Sequence, residues 1–496
     1  MDVDTIRSGL EAYRNGLELD RYELDRGLRR ESEARAIRKS YSDLFSPEVR
    51  EIVRGAVEKA DGRGLKADAQ SLRLLHAGLI RLHVGRELAP IDSAIQRHGR
   101  VVMIDLADGT RRPLRDMKLL LATTASAERR REIEDARAEQ ARILIPLMSE
   151  KVGVEQSIAA GLGYKNLPEL FSGVGGIDVE GVARLAREFL DRTADLYREV
   201  MGWSVRKRLG VSLEDARRCD IPYVLAGRYL DYQDAFSADD MLKRTRGFLD
   251  RMGIDLTSEG RLKIEVAQAE PPRAYVGAIR IPQDVRLVLE LKDGQRDWMT
   301  LLEALGEALF LSHVNPDAPF EQRGLGDPSL DLAYGELFKH LLLEPSWLAL
   351  ALEFKRPKDY LIQAYLERLY ELRLNCGRVL YELELRRKAS AEGMDELFEA
   401  RMREAIGVRV PRELFLHDVR QGMHSLIQLR ARLFEPLLTL HLLHYFDEGW
   451  WRNPRCGPFL ERQWWVGHQF TTEELAKEMG SELTVKPLLK LFDKNL

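Results

Sequence analysis

The stretch Asp297 to His313, DWMTLLEALGEALFLSH, is apolar at nearly every position of a helical repeat, yet it carries Thr300, Glu303 and Glu307. Their spacing of three and four puts these side chains on one narrow stripe of a helix otherwise suited to a core. Two ionised glutamates at i and i+4 repel each other, and an unpaired carboxylate among apolar groups takes up a proton rather than stay charged. The stripe must therefore face water, a cationic side chain or a metal ion. A second helix, SLDLAYGELFKHLLLEPSWLAL, repeats the pattern with Glu336, Lys339 and His340 set against Leu337, Phe338, Leu341 and Leu342.

A chain of 496 residues is long for one domain, which implies two or three domains or one large helical body. Hydrophobic residues make up 45% and charged residues 31%, a balance that builds a packed core and argues against extensive disorder. A net charge of -4 gives no strong pull toward nucleic acid or an anionic membrane. Cys219, Cys376 and Cys456 stand in unrelated contexts with no Cys-x-x-Cys pair, which argues against both a disulfide framework and a cysteine zinc site. The acidic start, MDVDTIRSGLEAYRNG, lacks the basic and apolar segments of a signal peptide, and no window approaches the ~20 apolar residues of a spanning helix. A cytoplasmic protein is expected.

Through position 164 the chain reads as charged amphipathic helices, interrupted by GRVVMIDLADGTRRPLRD, where Asp108-Gly109 marks a hairpin. Runs such as ASAERRREIEDARAEQAR mix both signs at helical spacing and read as solvated faces. Residues 165–496 read as one continuous body. A helix opens at Asp178 to Gly181. The sustained extended region RLKIEVAQAEPPRAYVGAIRIPQDVRLVLELKDGQ, broken by Pro271, Pro272, Pro282 and Asp293-Gly294, predicts a small sheet directly before the Glu303 helix. The remainder is helical and ends in an aromatic segment whose Trp450, Trp451, Trp464 and Trp465 read as packing anchors. The fold class is mainly α with a short central sheet.

The segment PRAYVGAIRIPQDVRLVLELKDGQRDWMTLLEALGEALFLSH resembles the active-site region of the thimet oligopeptidase and oligoendopeptidase group of zinc metallopeptidases. The matching positions are Arg273, Ala274, Tyr275, Pro282, Val285, Arg286, Leu287, Gly294, Asp297, Gly306, Ala308 and Leu309. The resemblance extends in order over most of the chain, from about Leu10 to Leu491. It implies a gluzincin-type fold of two helical halves around a deep substrate cleft. Where that family has its two zinc histidines this chain has Glu303 and Glu307, and the catalytic glutamate falls on Ala304. The third ligand position falls on Leu332, 29 residues after Glu303. A later stretch, LFLHDVRQGMHSLIQLRARLF, is similar to the family's tyrosine-bearing segment and puts His424 and Gln428 at the tyrosine positions, with Arg430 beside them.

Alanine accepts no proton and leucine binds no metal, so the resemblance implies a degenerate peptidase without zinc and without catalytic residues. Three expectations follow. The first is a pseudopeptidase that keeps its cleft for a peptide or protein ligand, with Glu303 and Glu307 answered by cations such as Arg430 or Arg432 or by a basic ligand. The second is a non-zinc, carboxylate-rich metal site made of Glu303, Glu307, Glu336 and His340. The third is a purely structural descendant whose cleft has collapsed. His313, at the end of its apolar helix, reads as a cap or a satisfied core residue, and His441 with His444 reads as packing.

Overall fold

The computed structural model describes residues 1–106, 109–226, 229–267, 274–355, 357–388 and 390–496. It is mainly helical, 72% helix against 5% strand, with two small sheets. Six helices position the groups discussed below: α1 (Val3–Asp25), α2 (Ala127–Gly161), α3 (Gln295–Ser312), α4 (Ser329–His340), α5 (Lys358–Lys388) and α6 (His424–Phe446). No helix among the described residues is long and apolar enough to cross a membrane.

Backbone contacts divide the chain into two compact units, each assembled from separated stretches: 1–83, 232–357 and 430–483 form the first, and 84–231, 358–429 and 484–496 the second. The first unit holds the sheet expected from the extended region. Its strands β3 (Leu262–Val266), β4 (Ala274–Arg280) and β5 (Asp284–Leu289) lie in the order β3-β5-β4, with β5 parallel to β3 and antiparallel to β4. Pro271, Pro272 and Arg273 lie outside the described residues. The outer edge of β4 is covered by α1, whose Arg14 and Arg21 donate to the carbonyls of Ala278 and Val276 at 2.9 and 3.2 Å. Those bonds satisfy acceptors that the sheet leaves open.

On the far side of the sheet α3 is buried along most of its length. Trp298 is fully enclosed and meets Trp347 edge-on with ring centres 6.0 Å apart. Trp450, Trp451 and Trp464 are likewise buried, as packing anchors should be, but Trp465 is 49% exposed. It is the last residue of its helix, Cys456–Trp465, where the side chain turns away from the face that Trp464 buries.

The second unit contains the expected hairpin, β1 (Met103–Asp105) antiparallel to β2 (Arg111–Pro113). The turn residue Asp108 lies outside the described residues. The helix Val179–Arg192 begins as its sequence indicates, with the Asp178 carboxylate accepting the Gly181 N–H at 2.8 Å. Long buried arginines tie this unit together. Arg130 pairs with Asp220 at 2.8 Å, and Arg386 pairs with both Glu155 and Glu382 at 3.1 Å.

Candidate functional site

The two polar stripes meet because α3 and α4 cross at glycines. A Cβ on Gly306 would stand 2.2 Å from the Tyr334 carbonyl oxygen, and one on Gly335 would stand 2.8 Å from that of Glu303. The two backbones touch there, and only glycine fits. The stems of Glu303 and Glu307 straddle Gly335, whose Cβ would lie 3.4 and 3.2 Å from their Cγ atoms.

This crossing delivers a chain of alternating charges. Lys339 Nζ lies 3.3 Å from Glu303 Oε2 and 2.8 Å from Glu336 Oε2, and Arg432 Nε lies 3.0 Å from Glu336 Oε1. Glu336 is buried, while Glu303 keeps about a third of its side chain in contact with solvent (34%). Burial pushes the Glu303 carboxyl above its ordinary range, and the Lys339 ammonium opposes that push. Among the described residues Glu307 has no hydrogen-bond or ion-pair partner. Burial, reinforced by the negative charges of Glu303 and Asp331, pushes its carboxyl up to about 8. At neutral pH the site therefore presents a neutral Glu307 carboxyl beside the Glu303–Lys339–Glu336–Arg432 chain.

The remaining expected residues are placed as follows. Ala304 is buried, and Leu332 is half-buried on α4 one turn before Glu336. His340 does not join Glu336. Its Nδ1 lies 3.0 Å from Glu435 Oε1 and its Nε2 lies 3.3 Å from Glu344 Oε1, while Thr439 also donates to Glu435 at 2.8 Å. The four-residue metal set therefore does not converge: Lys339 stands between Glu303 and Glu336, and His340 is turned to other carboxylates. Among the described residues no group of three or more His, Cys, Asp or Glu side chains is arranged to hold a metal ion.

Arg430, expected beside the cleft and as a partner of the glutamates, is fully enclosed. It clamps Asp327 through two bonds of 2.7 Å, and it also donates to Ser329 Oγ at 2.9 Å and Glu473 Oε1 at 2.8 Å. Burial alone would raise the Asp327 carboxyl, but Arg430 and the backbone N–H groups of Ser329 and Thr472 outweigh it and hold the group down to about 2. Arg432 pairs directly with Glu336 at 3.0 Å, and its charge also favours the ionised form of Glu303. His424 and Gln428, both half-buried, lie on the first turns of α6 and belong to the second unit.

His313 sits at the C-cap of α3 with Nδ1 2.7 Å from the Leu309 carbonyl oxygen. His441 packs its ring on Tyr445 and Phe459, and His444 packs on Tyr445. The group that sequence reasoning did not assign is Lys339 as the cation for Glu303. Its signal was its place three residues after Glu336, on the stripe that faces α3. No protein-family model and no curated protein matches this chain.

Proposed function

We propose that this chain is a non-hydrolytic relative of the thimet oligopeptidase and oligoendopeptidase group, which keeps a binding site at its degenerate metal position for peptide or protein segments and does not cleave them. The observation that carries this reading is the Glu303–Lys339–Glu336–Arg432 ion chain at the positions where the resemblance puts a zinc site. Zinc peptidase chemistry needs three protein ligands, an open coordination position and a base beside the bound water. Here an ammonium supplies the positive charge, Ala304 stands at the base position and Leu332 at the third ligand. The fold is spared an unpaired buried charge, and a route to an activated water is lost with it. Glu307, with no hydrogen-bond or ion-pair partner among the described residues, is left to hydrogen-bond a ligand, or to release its proton when a ligand brings a cationic group against it.

The test is fluorescence anisotropy with a labelled pool of random decapeptides, followed by mass spectrometry of the recovered peptides. Saturable binding with every peptide intact is the expected result, and binding should weaken in Glu307→Ala. Cleaved peptides, or no binding at all, would overturn the proposal. The same ion chain also fits a structural descendant that binds nothing; in that case Glu303→Gln and Glu307→Ala alter stability and leave anisotropy at the level of free peptide.

A further inference from the structure

The second unit gathers three arginines on one aspartate. Arg137 from α2, Arg218 from the short turn Arg218–Asp220 and Arg378 from α5 all reach Asp418. Arg137 Nη2 lies 3.3 Å from Oδ1, Arg378 Nη2 lies 3.8 Å from Oδ2, and Arg218 Nη1 bonds Oδ2 directly. All four are withdrawn from solvent, with side-chain exposures of 18% for Arg137, 11% for Arg218, 16% for Arg378 and 4% for Asp418.

Two features of this cluster do not close within the protein. The first is hydrogen bonding. Among the described residues Arg378 is held only at ion-pair distance from Asp418 and donates no hydrogen bond, and the buried Nε atoms of both Arg137 and Arg378 have no partner. A guanidinium offers five N–H donors, and a buried polar group without a partner is costly. The second is charge. Three guanidinium groups share one directly paired carboxylate, so positive charge is in surplus in a partly desolvated place. Glu134, also buried nearby, accepts from the Cys219 N–H at 3.0 Å and makes no ion pair with the three arginines among the described residues, although its charge offsets part of that surplus at Arg137 and Arg218. Burial, with Arg218 and Arg378 alongside and Asp418 and Glu134 opposing, brings the Arg137 guanidinium down to about 10.

We propose that Arg137, Arg218 and Arg378, gathered on Asp418, form a binding site for a phosphate group. Planar guanidinium forks arriving from three separate elements suit a tetrahedral oxyanion that accepts from several directions. A phosphate dianion also answers more of the positive surplus than a singly charged carboxylate does, and it offers more acceptor oxygens. The partial exposure of all three arginines gives the anion a way in. Inorganic phosphate and a phosphate monoester present the same terminal oxygens, so the site's chemistry is common to both, and the two are separated by experiment.

The experiment is isothermal titration calorimetry on the full chain with inorganic phosphate and, separately, with O-phosphoserine, at matched ionic strength in chloride buffer, with acetate as the carboxylate reference. Thermal unfolding is followed in parallel. One site per chain is expected for phosphate, together with a rise in Tm that chloride and acetate do not give. Stronger binding of phosphoserine than of free phosphate would assign the site to a monoester, and the reverse order to the free ion. Arg378→Gln should lower phosphate affinity by roughly 10- to 100-fold. Because Arg378 donates no hydrogen bond in the fold, the unliganded variant should melt no lower than the parent. Equal Tm in phosphate and chloride, acetate binding as tight as phosphate, or a phosphate effect that survives in Arg378→Gln would each overturn the assignment. The wild-type comparison decides the question even if the variant does not fold.

Discussion

Glu307 carries a charge that the fold, more than the solvent, controls. Its carboxyl is held up to about 8 against an ordinary value of 4.5. The unfolded chain releases that proton near the ordinary value and the folded chain keeps it, so folding stability falls as pH rises from about 4.5 to about 8, by at most about 1.4 kcal/mol per unit. Glu307→Gln stays neutral throughout, and urea titrations across that window should show the slope flattened. An unchanged slope would mean that Glu307 is ionised in the folded protein. Arg430 works in the opposite sense, since it holds Asp327 charged. Arg430→Met strands Asp327 in the interior and should cost about 3–5 kcal/mol in chemical denaturation; a loss below about 1 kcal/mol would contradict a clamp of this kind. That the Glu303 stripe must meet water, a cationic side chain or a metal ion was legible in the sequence, but which of these it meets, and through which residue, was not. Arg430 and Lys339 differ in which helix face they occupy after packing, and residue spacing on a single helix does not contain that information.

At the scale of elements, the junction of α3 and α4 decides the site. Sequence periodicity showed two apolar helices each with a polar stripe, and it placed the sheet before the first of them. The crossing itself depends on Gly306 meeting the Tyr334 carbonyl and Gly335 meeting that of Glu303, a non-local fit that neither helix announces alone. Gly306→Ala must push the helices apart, and the overpacking should cost about 1–3 kcal/mol or more. It should also loosen the Lys339 bridge to Glu303, read as a change in the Glu303 titration by carboxyl NMR. A variant as stable as the parent would show that the backbones do not touch. In the sheet, the β-branched runs marked the strands, but the order β3-β5-β4 puts the last strand between the other two. Alternation along one strand says nothing of that insertion.

Across the whole molecule, the mainly helical class with small sheets followed from composition and periodicity, because apolar residues at helical spacing dominate nearly every segment. The assembly of each compact unit from three separated stretches of chain has no counterpart in local pattern; it arises from long-range packing. Under the proposed function, Lys339 and Arg432 supply the positive charge that a metal supplies in zinc peptidases, and the site binds without hydrolysing. The most direct measurement is elemental analysis of protein purified without chelators or immobilised metal, before and after dialysis against zinc, with hydrolysis of a quenched fluorescent peptide recorded on the same samples. The account predicts metal far below one atom per chain in both states and no hydrolysis. One zinc per chain, with turnover that disappears in Glu303→Gln, would contradict it.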